Sequence, residues 1–166
     1  MPKVSRIASR LEDLALPASS VAPLRSAAAA RVGTVLLTGP SGADRAHAAE
    51  ALARMAGRGL MRVDLGGVLS RYVGETEKNL DRLFAAAAAS GAVLFFDEAD
   101  ALLGKRSDVK DSHDRHANVE VSHLLQKIES YGGLVVLAAS GRQNLDAAFL
   151  RRLRHVVDLP GPPKGN

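Results

Sequence analysis

The stretch Val93-Leu94-Phe95-Phe96-Asp97-Glu98-Ala99-Asp100 changes from apolar to acidic between residues 96 and 97. Its four apolar residues predict a buried strand, and the two adjacent acids place carboxylates at the carboxyl end of that strand. Ligands bind at this edge of open α/β sheets, where one acid can hold Mg²⁺ through water and the next can polarise an attacking water. The two acids could instead be structural, because acidic residues are also favourable at an exposed strand end that precedes a helix N-terminus. We favour the functional interpretation because a phosphate-loop-like segment lies one strand–helix–strand step earlier.

That earlier segment, residues 35–46, combines an apolar strand, a loop of small residues and the start of a helix. Backbone N–H groups and a helix N-terminus can hold phosphate at such a loop, and the usual pattern is G-x-x-x-x-G-K-[ST]. Asp44, Arg45 and Ala46 replace the second Gly, the Lys and the Ser/Thr of that pattern. Taken alone, the segment would be an ordinary strand–turn–helix connection. The candidate nucleotide-binding residues are Gly39, Pro40, Ser41, Gly42, Ala43, Asp44, Arg45 and Ala46.

The rest of the chain alternates apolar runs with segments of helical period, which predicts an α/β fold with a parallel sheet. Apolar stripes at helical spacing pass through Leu52, Leu83 and Leu124. The predicted strands are Thr34–Thr38, Leu60–Asp64, Ala92–Asp97, Leu134–Ser140 and His155–Leu159.

Composition narrows the classes of function. A chain of 166 residues with 46% hydrophobic and 24% charged residues is typical of one globular domain. The absence of cysteine excludes disulfides, thiolate zinc sites and thiol catalysis. No apolar run approaches the about 18 residues that a membrane span needs. Two tyrosines, four phenylalanines and no tryptophan offer little surface for stacking on bases. We therefore expect neither a nucleic acid nor a membrane as partner.

Further stretches, together with the two motifs above, make residues 11–159 resemble AAA+ ATPases. Among these, the chain most resembles the AAA ATPases encoded with phage-tail-like contractile injection systems. Each stretch is weak alone, but all of them occur in family order and spacing. The stretches are residues 70–80 (SRYVGETEKNL), 96–102 (FDEADAL), 105–107 (KRS), 111–115 (DSHDR), 144–146 (NLD) and 149–154 (FLRRLR).

The resemblance implies a three-layer αβα P-loop NTPase fold. Its five-stranded parallel sheet would have the order 5-1-4-3-2, the strands being numbered along the chain. The implied activity is ATP binding and hydrolysis with Mg²⁺, coupled to the remodelling of a polypeptide substrate inside a ring of identical or homologous subunits.

Several site residues follow from the resemblance. Asp97 matches the acid that holds Mg²⁺, and Glu98 matches the acid that activates water. Tyr72, Val73 and Gly74 match the first pore loop, whose aromatic side chain grips an extended polypeptide. A half-buried aromatic residue at a loop remains an alternative interpretation of Tyr72.

Three more residues match catalytic positions of the family. Arg151 and Arg154 match the arginines that reach the γ-phosphate of a neighbouring subunit, where a guanidinium stabilises charge on the transferred group. A solvated basic helix end would equally explain both. Ser140 stands where the family has an Asn, and its shorter side chain would place the attacking water less well.

The departures at the phosphate loop predict an impaired site. Arg45 keeps the charge of the Lys but not its compact ammonium group, and Ala46 removes a hydroxyl ligand of Mg²⁺. Asp44 places a carboxylate where the anion belongs, and at an effective dielectric of ~20 two like charges ~4 Å apart repel by about 4 kcal/mol. Our hypothesis at this point is that Asp44 caps the following helix and pairs with Arg45, which fills the anion site internally.

The expected organisation is an N-terminal arm and helix over residues 1–31, an AAA+ large α/β subdomain over 32–160 and a loose tail over 161–166. The helical lid that follows this subdomain in the family is not expected in this chain, and a cytoplasmic location is. Whether the chain is an active ATPase stays open. The alternative is a degenerate AAA+ subunit that acts as assembly or activating partner in a mixed ring.

Overall fold

The computed structural model describes residues 4–5, 18–63, 75–99, 122–143 and 145–160. These residues form one six-stranded sheet with helices on both faces. The strands are β1 (Val4–Ser5), β2 (Gly33–Thr38), β3 (Leu60–Val63), β4 (Val93–Phe96), β5 (Leu134–Ala139) and β6 (His155–Asp158). The helices are α1 (Ala18–Ala30), α2 (Gly42–Met55), α3 (Glu75–Ser90), α4 (residues 122–130) and α5 (Ala147–Arg151).

The strand order across the sheet is β1-β3-β4-β5-β2-β6. The parallel part of the sheet consists of β3, β4, β5, β2 and β6. These are the five strands that the sequence predicts, and they lie in the predicted order. The short β1 was not predicted, and it pairs with β3 in the antiparallel direction. The five-stranded parallel prediction is therefore confirmed, with one two-residue strand added at its edge.

Two apolar clusters, one on each face of the sheet, make the fold three-layered. On one face, α1 and α2 pack through Leu24 and Leu52 against Val35 and Phe95. On the other face, α3 and α4 pack against side chains such as Phe96. Both faces of the central strands are thus covered, which explains why these strands are apolar throughout instead of alternating with polar residues.

The helices owe their formation largely to alanine and leucine, which have high helix propensity. α2 and α3 are 14 and 16 residues long. α3 ends at Ser90, and the following Gly91 has a φ of 69°, the left-handed conformation that glycine adopts easily after a helix. Among the helices in the described parts of the chain, none has the length and apolar character that crossing a bilayer requires.

The register of the parallel strands determines what meets at their carboxyl ends. Thr38 of β2 lies level with Ala139 of β5, and Phe96 of β4 lies level with Leu137 of β5. The residues that follow these three strands therefore gather at one edge of the sheet. This edge brings the loop after β2, the acid pair after β4 and Ser140 after β5 close together.

Candidate nucleotide-binding site

The loop between β2 and α2 begins at Gly39, where the backbone passes very close to the end of β6. A Cβ atom at Gly39 would lie 2.5 Å from the carbonyl oxygen of Leu159. The Gly39 N–H donates to the carbonyl of Ala139 at 3.1 Å, which ties the loop to the end of β5. Only glycine fits here without displacing the backbone after β6.

Ser41 caps α2. Its backbone is extended, with φ −95° and ψ 116°, and its side chain accepts a hydrogen bond from the Asp44 N–H at 3.1 Å. The hypothesis that Asp44 caps this helix was wrong, because Asp44 lies inside the first turn and is the donor in this bond. A serine oxygen already occupies the capping position, so the Asp44 carboxylate adds only its charge to the helix N-terminus.

Arg45 is buried, with 7% of its surface exposed, and it reaches across the loop to the end of β4. Its Nε lies 3.1 Å from Oδ1 of Asp97, and its Nη1 donates to the carbonyl of Gly39 at 2.6 Å. The prediction that Arg45 pairs with Asp44 was wrong. Its charge is instead matched by an acid 52 positions away in sequence.

Asp97 accepts hydrogen bonds from two sides and faces a second cation. Its Oδ1 also accepts the Glu98 N–H at 2.8 Å, and its Oδ2 lies 3.5 Å from Nη2 of Arg62. The side chain of Asp97 is only 15% exposed, whereas that of Arg62 is 59% exposed and contacts the face of Phe95. The carboxylate is thus held between two guanidinium groups.

Glu98 is exposed and adopts a left-handed backbone conformation with φ 56°. This conformation is uncommon for a residue with a side chain and costs on the order of 1 kcal/mol or more. It results from the tight turn after β4, in which the Ala99 N–H donates to the carbonyl of Ala138 at 2.8 Å. The turn separates the two acids, so that Asp97 faces the phosphate loop while Glu98 faces solvent.

The residues at this edge do not fit the Mg²⁺ ion that the family implies. Ala46 has no side-chain oxygen, and the Asp97 carboxylate is already engaged by Arg45 and lies near Arg62. Within the described residues, no group of three or more Asp, Glu or His side chains is placed to hold a metal ion. The geometry therefore gives this chain an internal guanidinium where a metal ligand is expected.

A second set of polar residues, which the sequence analysis did not find, surrounds Asp158 at the end of β6. Its carboxylate accepts hydrogen bonds from Thr38 Oγ1 and, in a bidentate arrangement, from Arg142 at 3.0 and 2.8 Å. Its carbonyl accepts the Ser20 hydroxyl at 2.7 Å. Asp158 thereby joins α1, β2, β6 and the loop after β5.

These residues line an open cleft of about 390 Å³ beside Gly39, with Ser140 on its wall. Burial alone would raise the pKa of Asp158, but hydrogen bonds from Arg142 and Thr38 outweigh it and lower the pKa below its usual 3.8. Ser140 is exposed at the end of β5, at the position where the sequence analysis placed it. Its proposed role toward water stays a prediction.

The two candidate arginines lie on and after α5, away from the loop of their own chain. Asp146 caps α5 by accepting the N–H groups of Ala148 and Phe149. Arg151 is the last residue of α5, and Arg154 directly precedes β6. The first residue of β6 pairs with Val35 of β2, four residues before Gly39. The start of β6 therefore lies roughly 13 Å from the phosphate loop along the strand direction. Arg151 and Arg154 are both exposed.

The remaining predicted site residues, Tyr72, Val73 and Gly74, lie outside the described residues. Of the other sites, the structure brings the phosphate loop, Asp97 and Ser140 to one edge of the sheet. It does not bring Arg151 and Arg154 to that edge. This separation agrees with the expectation that those arginines would act on a neighbouring subunit, which stays untested.

Comparison with known families supports the assignment that the site suggests. The family described as "ATPase family associated with various cellular activities (AAA)" matches residues 35–160, from β2 to just past β6. The chain belongs to the AAA family. The match covers the phosphate loop, the acid pair and both candidate arginines in one continuous segment.

Among relatives of this AAA chain, the ATPase family gene 2 protein of Saccharomyces cerevisiae is 36% identical over 137 residues. The cell division cycle protein 48 homolog of Archaeoglobus fulgidus is 35% identical over 137 residues, and the 26S proteasome subunit RPT4 of S. cerevisiae is 30% identical over 135. These matches cover 80%, 78% and 77% of this chain but 17%, 18% and 31% of the relatives. The chain therefore spans less than a third of each of them.

Proposed function

We propose that this chain is a AAA ATPase module for protein remodelling whose own phosphate site is closed by Arg45. ATP binding and hydrolysis by the isolated chain are then weak. The observation that carries the proposal is the position of the Arg45 guanidinium, which lies 3.1 Å from Asp97 Oδ1 and 2.6 Å from the Gly39 carbonyl.

The electrostatics of the loop support the proposal. A phosphate placed over this loop would approach the first turn of α2, which carries the negative charge of Asp44, while the charge of Arg45 is already matched by Asp97. Opening the Arg45–Asp97 pair to admit Mg²⁺ would leave a buried guanidinium without its anion, which is costly in a protein interior. Nucleotide binding must therefore overcome both a repulsive charge and an existing ion pair.

The relatives support the remodelling part of the proposal. One of them is named as a subunit of the 26S proteasome, so we expect this chain also to work in an assembly with homologous subunits and on polypeptide. The contractile-injection subtype is supported by the motif series described above, from residue 70 to residue 154. The subdomain boundaries and the cytoplasmic location stay predictions.

The direct test restores the loop pattern with Asp44→Gly, Arg45→Lys and Ala46→Thr in one chain. Calorimetry with Mg·ATP should show an affinity at least about tenfold higher than that of the unchanged chain, a gain of about 1.4 kcal/mol. The matched control is Ala46→Thr alone, which supplies the missing hydroxyl but leaves the Arg45–Asp97 pair in place and should gain little.

Two results would contradict the proposal. One is tight Mg·ATP binding by the unchanged chain, and the other is a restored chain that folds but gains no affinity. Amide NMR shifts at Gly39 and Gly42 would establish in either case whether the nucleotide contacts the loop.

A second candidate function is that of an activating partner in a mixed ring. The observation in its favour is that Arg151 and Arg154 are exposed, whereas the neighbouring Arg152 is paired with Glu129 at 3.2 Å. A guanidinium presented in this way can stabilise the transferred phosphoryl group on another subunit.

The test places the nucleotide site and the acting arginines on different chains. The chain that binds nucleotide, called the receiver, carries Asp44→Gly, Arg45→Lys and Ala46→Thr together with Arg151→Ala and Arg154→Ala. Adding the unchanged chain should raise the ATPase rate of the receiver, while a chain with the two alanines should not. Arg152→Ala is the matched control and should stimulate normally. Equal stimulation by all of these chains, or none by any, would contradict this function.

A further inference from the structure

A cavity of about 270 Å³ lies at the edge of the sheet opposite the phosphate loop. Four connections converge there, because each precedes a parallel strand: α1 to β2, α2 to β3, α3 to β4 and α4 to β5. The cavity is lined by the side chains of Arg31, Arg58 and Tyr131 and by glycines 91, 132 and 133. The cavity is therefore separate from the candidate nucleotide site.

Gly91 makes room for the guanidinium of Arg58. A Cβ atom at Gly91 would lie 2.7 Å from Nη1 of Arg58, so the arginine occupies the space that a side chain would take. At Gly132 a Cβ atom would meet nothing within 4 Å. Tyr131 and Arg58 both line the cavity. Burial raises the pKa of Tyr131, and the nearby charge of Arg58 opposes the rise.

The cavity carries two positive charges and no acid. Arg31 and Arg58 line it, and no acidic side chain does so among the residues that the structure describes. The Arg58 N–H donates to the carbonyl of Ala53 at 2.9 Å, but within the described ranges neither guanidinium group has a hydrogen-bond or ion-pair partner. Both guanidinium groups thus have donors available for a ligand.

Helix carboxyl ends converge at this edge, and arginines often serve to cap such ends. Here, however, carbonyl groups around the cavity already have other donors. The carbonyl of Ala88 accepts the Gly91 N–H at 3.3 Å, and that of Ala92 accepts the Tyr131 hydroxyl at 2.7 Å. The donors at these two carbonyls are therefore Gly91 and Tyr131, and neither arginine caps them.

The backbone of Arg31 provides an independent indication. Arg31 follows α1 with φ 63°, a left-handed conformation that glycine usually fills at the end of a helix. A residue with a side chain pays on the order of 1–2 kcal/mol for it. Strain of this kind is concentrated at functional positions, and here it belongs to a side chain that lines the cavity.

We propose that this cavity binds an oxyanion, a carboxylate or a phosphate, between Arg31 and Arg58. Arginine donates paired N–H groups to such anions with suitable geometry. At about 270 Å³ the cavity lies below the roughly 300–1,000 Å³ of pockets for whole small molecules, so it suits a small anion or one acidic side chain. The same chemistry could come from free phosphate or from a glutamate of a partner polypeptide.

The test is an NMR titration of the full chain with two probes, inorganic phosphate and a short peptide that contains glutamate. The amides of Gly91, Gly132 and Gly133 report on the cavity, and those of Gly39 and Gly42 report separately on the phosphate loop. Saturable shifts at the cavity glycines are expected, weaker at high salt because charges are screened. The probe that binds more tightly identifies the source of the anion. If neither probe shifts the amides of the cavity glycines, the proposal is overturned.

Variants separate binding from folding. Arg58→Gln should raise the dissociation constant at least about tenfold, since hydrogen bonds to charged groups are strong. Arg31→Gly should do the same without lowering the melting temperature, because glycine relieves the left-handed backbone. Arg25→Gln, on the exposed face of α1, removes the same charge elsewhere and should leave binding unchanged. Equal losses in all three variants would indicate unspecific attraction and overturn the proposal.

Discussion

Among the aspartate–arginine pairs that the structure describes at the carboxyl edge of the sheet, Arg45–Asp97 and Arg142–Asp158 differ most usefully in burial. In the Arg45–Asp97 pair the side chains are 8% and 15% exposed, and in the Arg142–Asp158 pair they are 50% and 61% exposed. The exposed pair has the better geometry, with two parallel hydrogen bonds instead of one. Burial, not the number of bonds, decides what it costs to break each pair.

The difference also bears on function. The buried pair joins the phosphate-loop helix to the end of the acid strand, and our proposal is that a ligand must break this pair to enter. The exposed pair lies on the wall of an open cleft and leaves that cleft accessible. The same two residue types therefore form a buried pair beside the phosphate loop and an exposed pair on the wall of the cleft.

The largest effect is expected for Asp97→Ala. The substitution leaves the Arg45 guanidinium buried without its anion, and we expect the free energy of unfolding to fall by about 3 kcal/mol in urea titrations. The double variant Arg45→Met, Asp97→Ala is the control, and it should recover most of the loss because the only charge left without Asp97 is that of the exposed Arg62. A loss below about 1 kcal/mol for Asp97→Ala would mean that water reaches the pair and the contrast with Asp158 is false.

A smaller effect is expected for Arg142→Ala, the corresponding break of the exposed pair. Because both side chains are solvated, the free energy of unfolding should fall by about 0.5 kcal/mol, and by less at high salt. Urea titrations at low and high NaCl concentration measure both. A salt-independent loss as large as that of Asp97→Ala would show that exposure does not separate the two pairs.

The smallest effect concerns pH. Because the folded pKa of Asp158 lies below its usual 3.8, its ionised form stabilises the fold at higher pH, and this stabilisation is lost as the pH falls through the folded pKa. Asp158→Asn removes this contribution. The difference in unfolding free energy between the two chains should be greatest near about pH 6 and shrink toward about pH 3. A difference that grows on acidification would contradict the direction of the shift.

Much of the fold follows from local pattern. Short apolar runs marked the parallel strands, most clearly Val93–Phe96 and Leu134–Ala139, and the family resemblance supplied their order. β1 escaped prediction because two residues carry no periodicity, and its pairing with Leu60 and Met61 is a tertiary contact.

The site was predictable in position but not in connectivity. The sequence placed Gly39, Asp97 and Ser140 at one edge correctly. The partner of Arg45 was misjudged because the nearest acid in sequence, Asp44, was favoured over one that only the folded sheet brings within reach. The cap was missed although Ser41-x-x-Asp44 fits the [ST]-x-x-[DE] pattern of a helix start. The cavity around Arg31 and Arg58 arises from four separate loops, so no local signal could reveal it.

The short β1 has a consequence for solubility. It lies along the outer side of β3, where otherwise a row of backbone N–H and C=O groups would face solvent beside the buried Leu60 and Met61. An unpaired edge strand of this kind can pair with strands of other molecules. The pairing of two β1 residues with β3 thus occupies backbone groups at which strands of other molecules could otherwise pair.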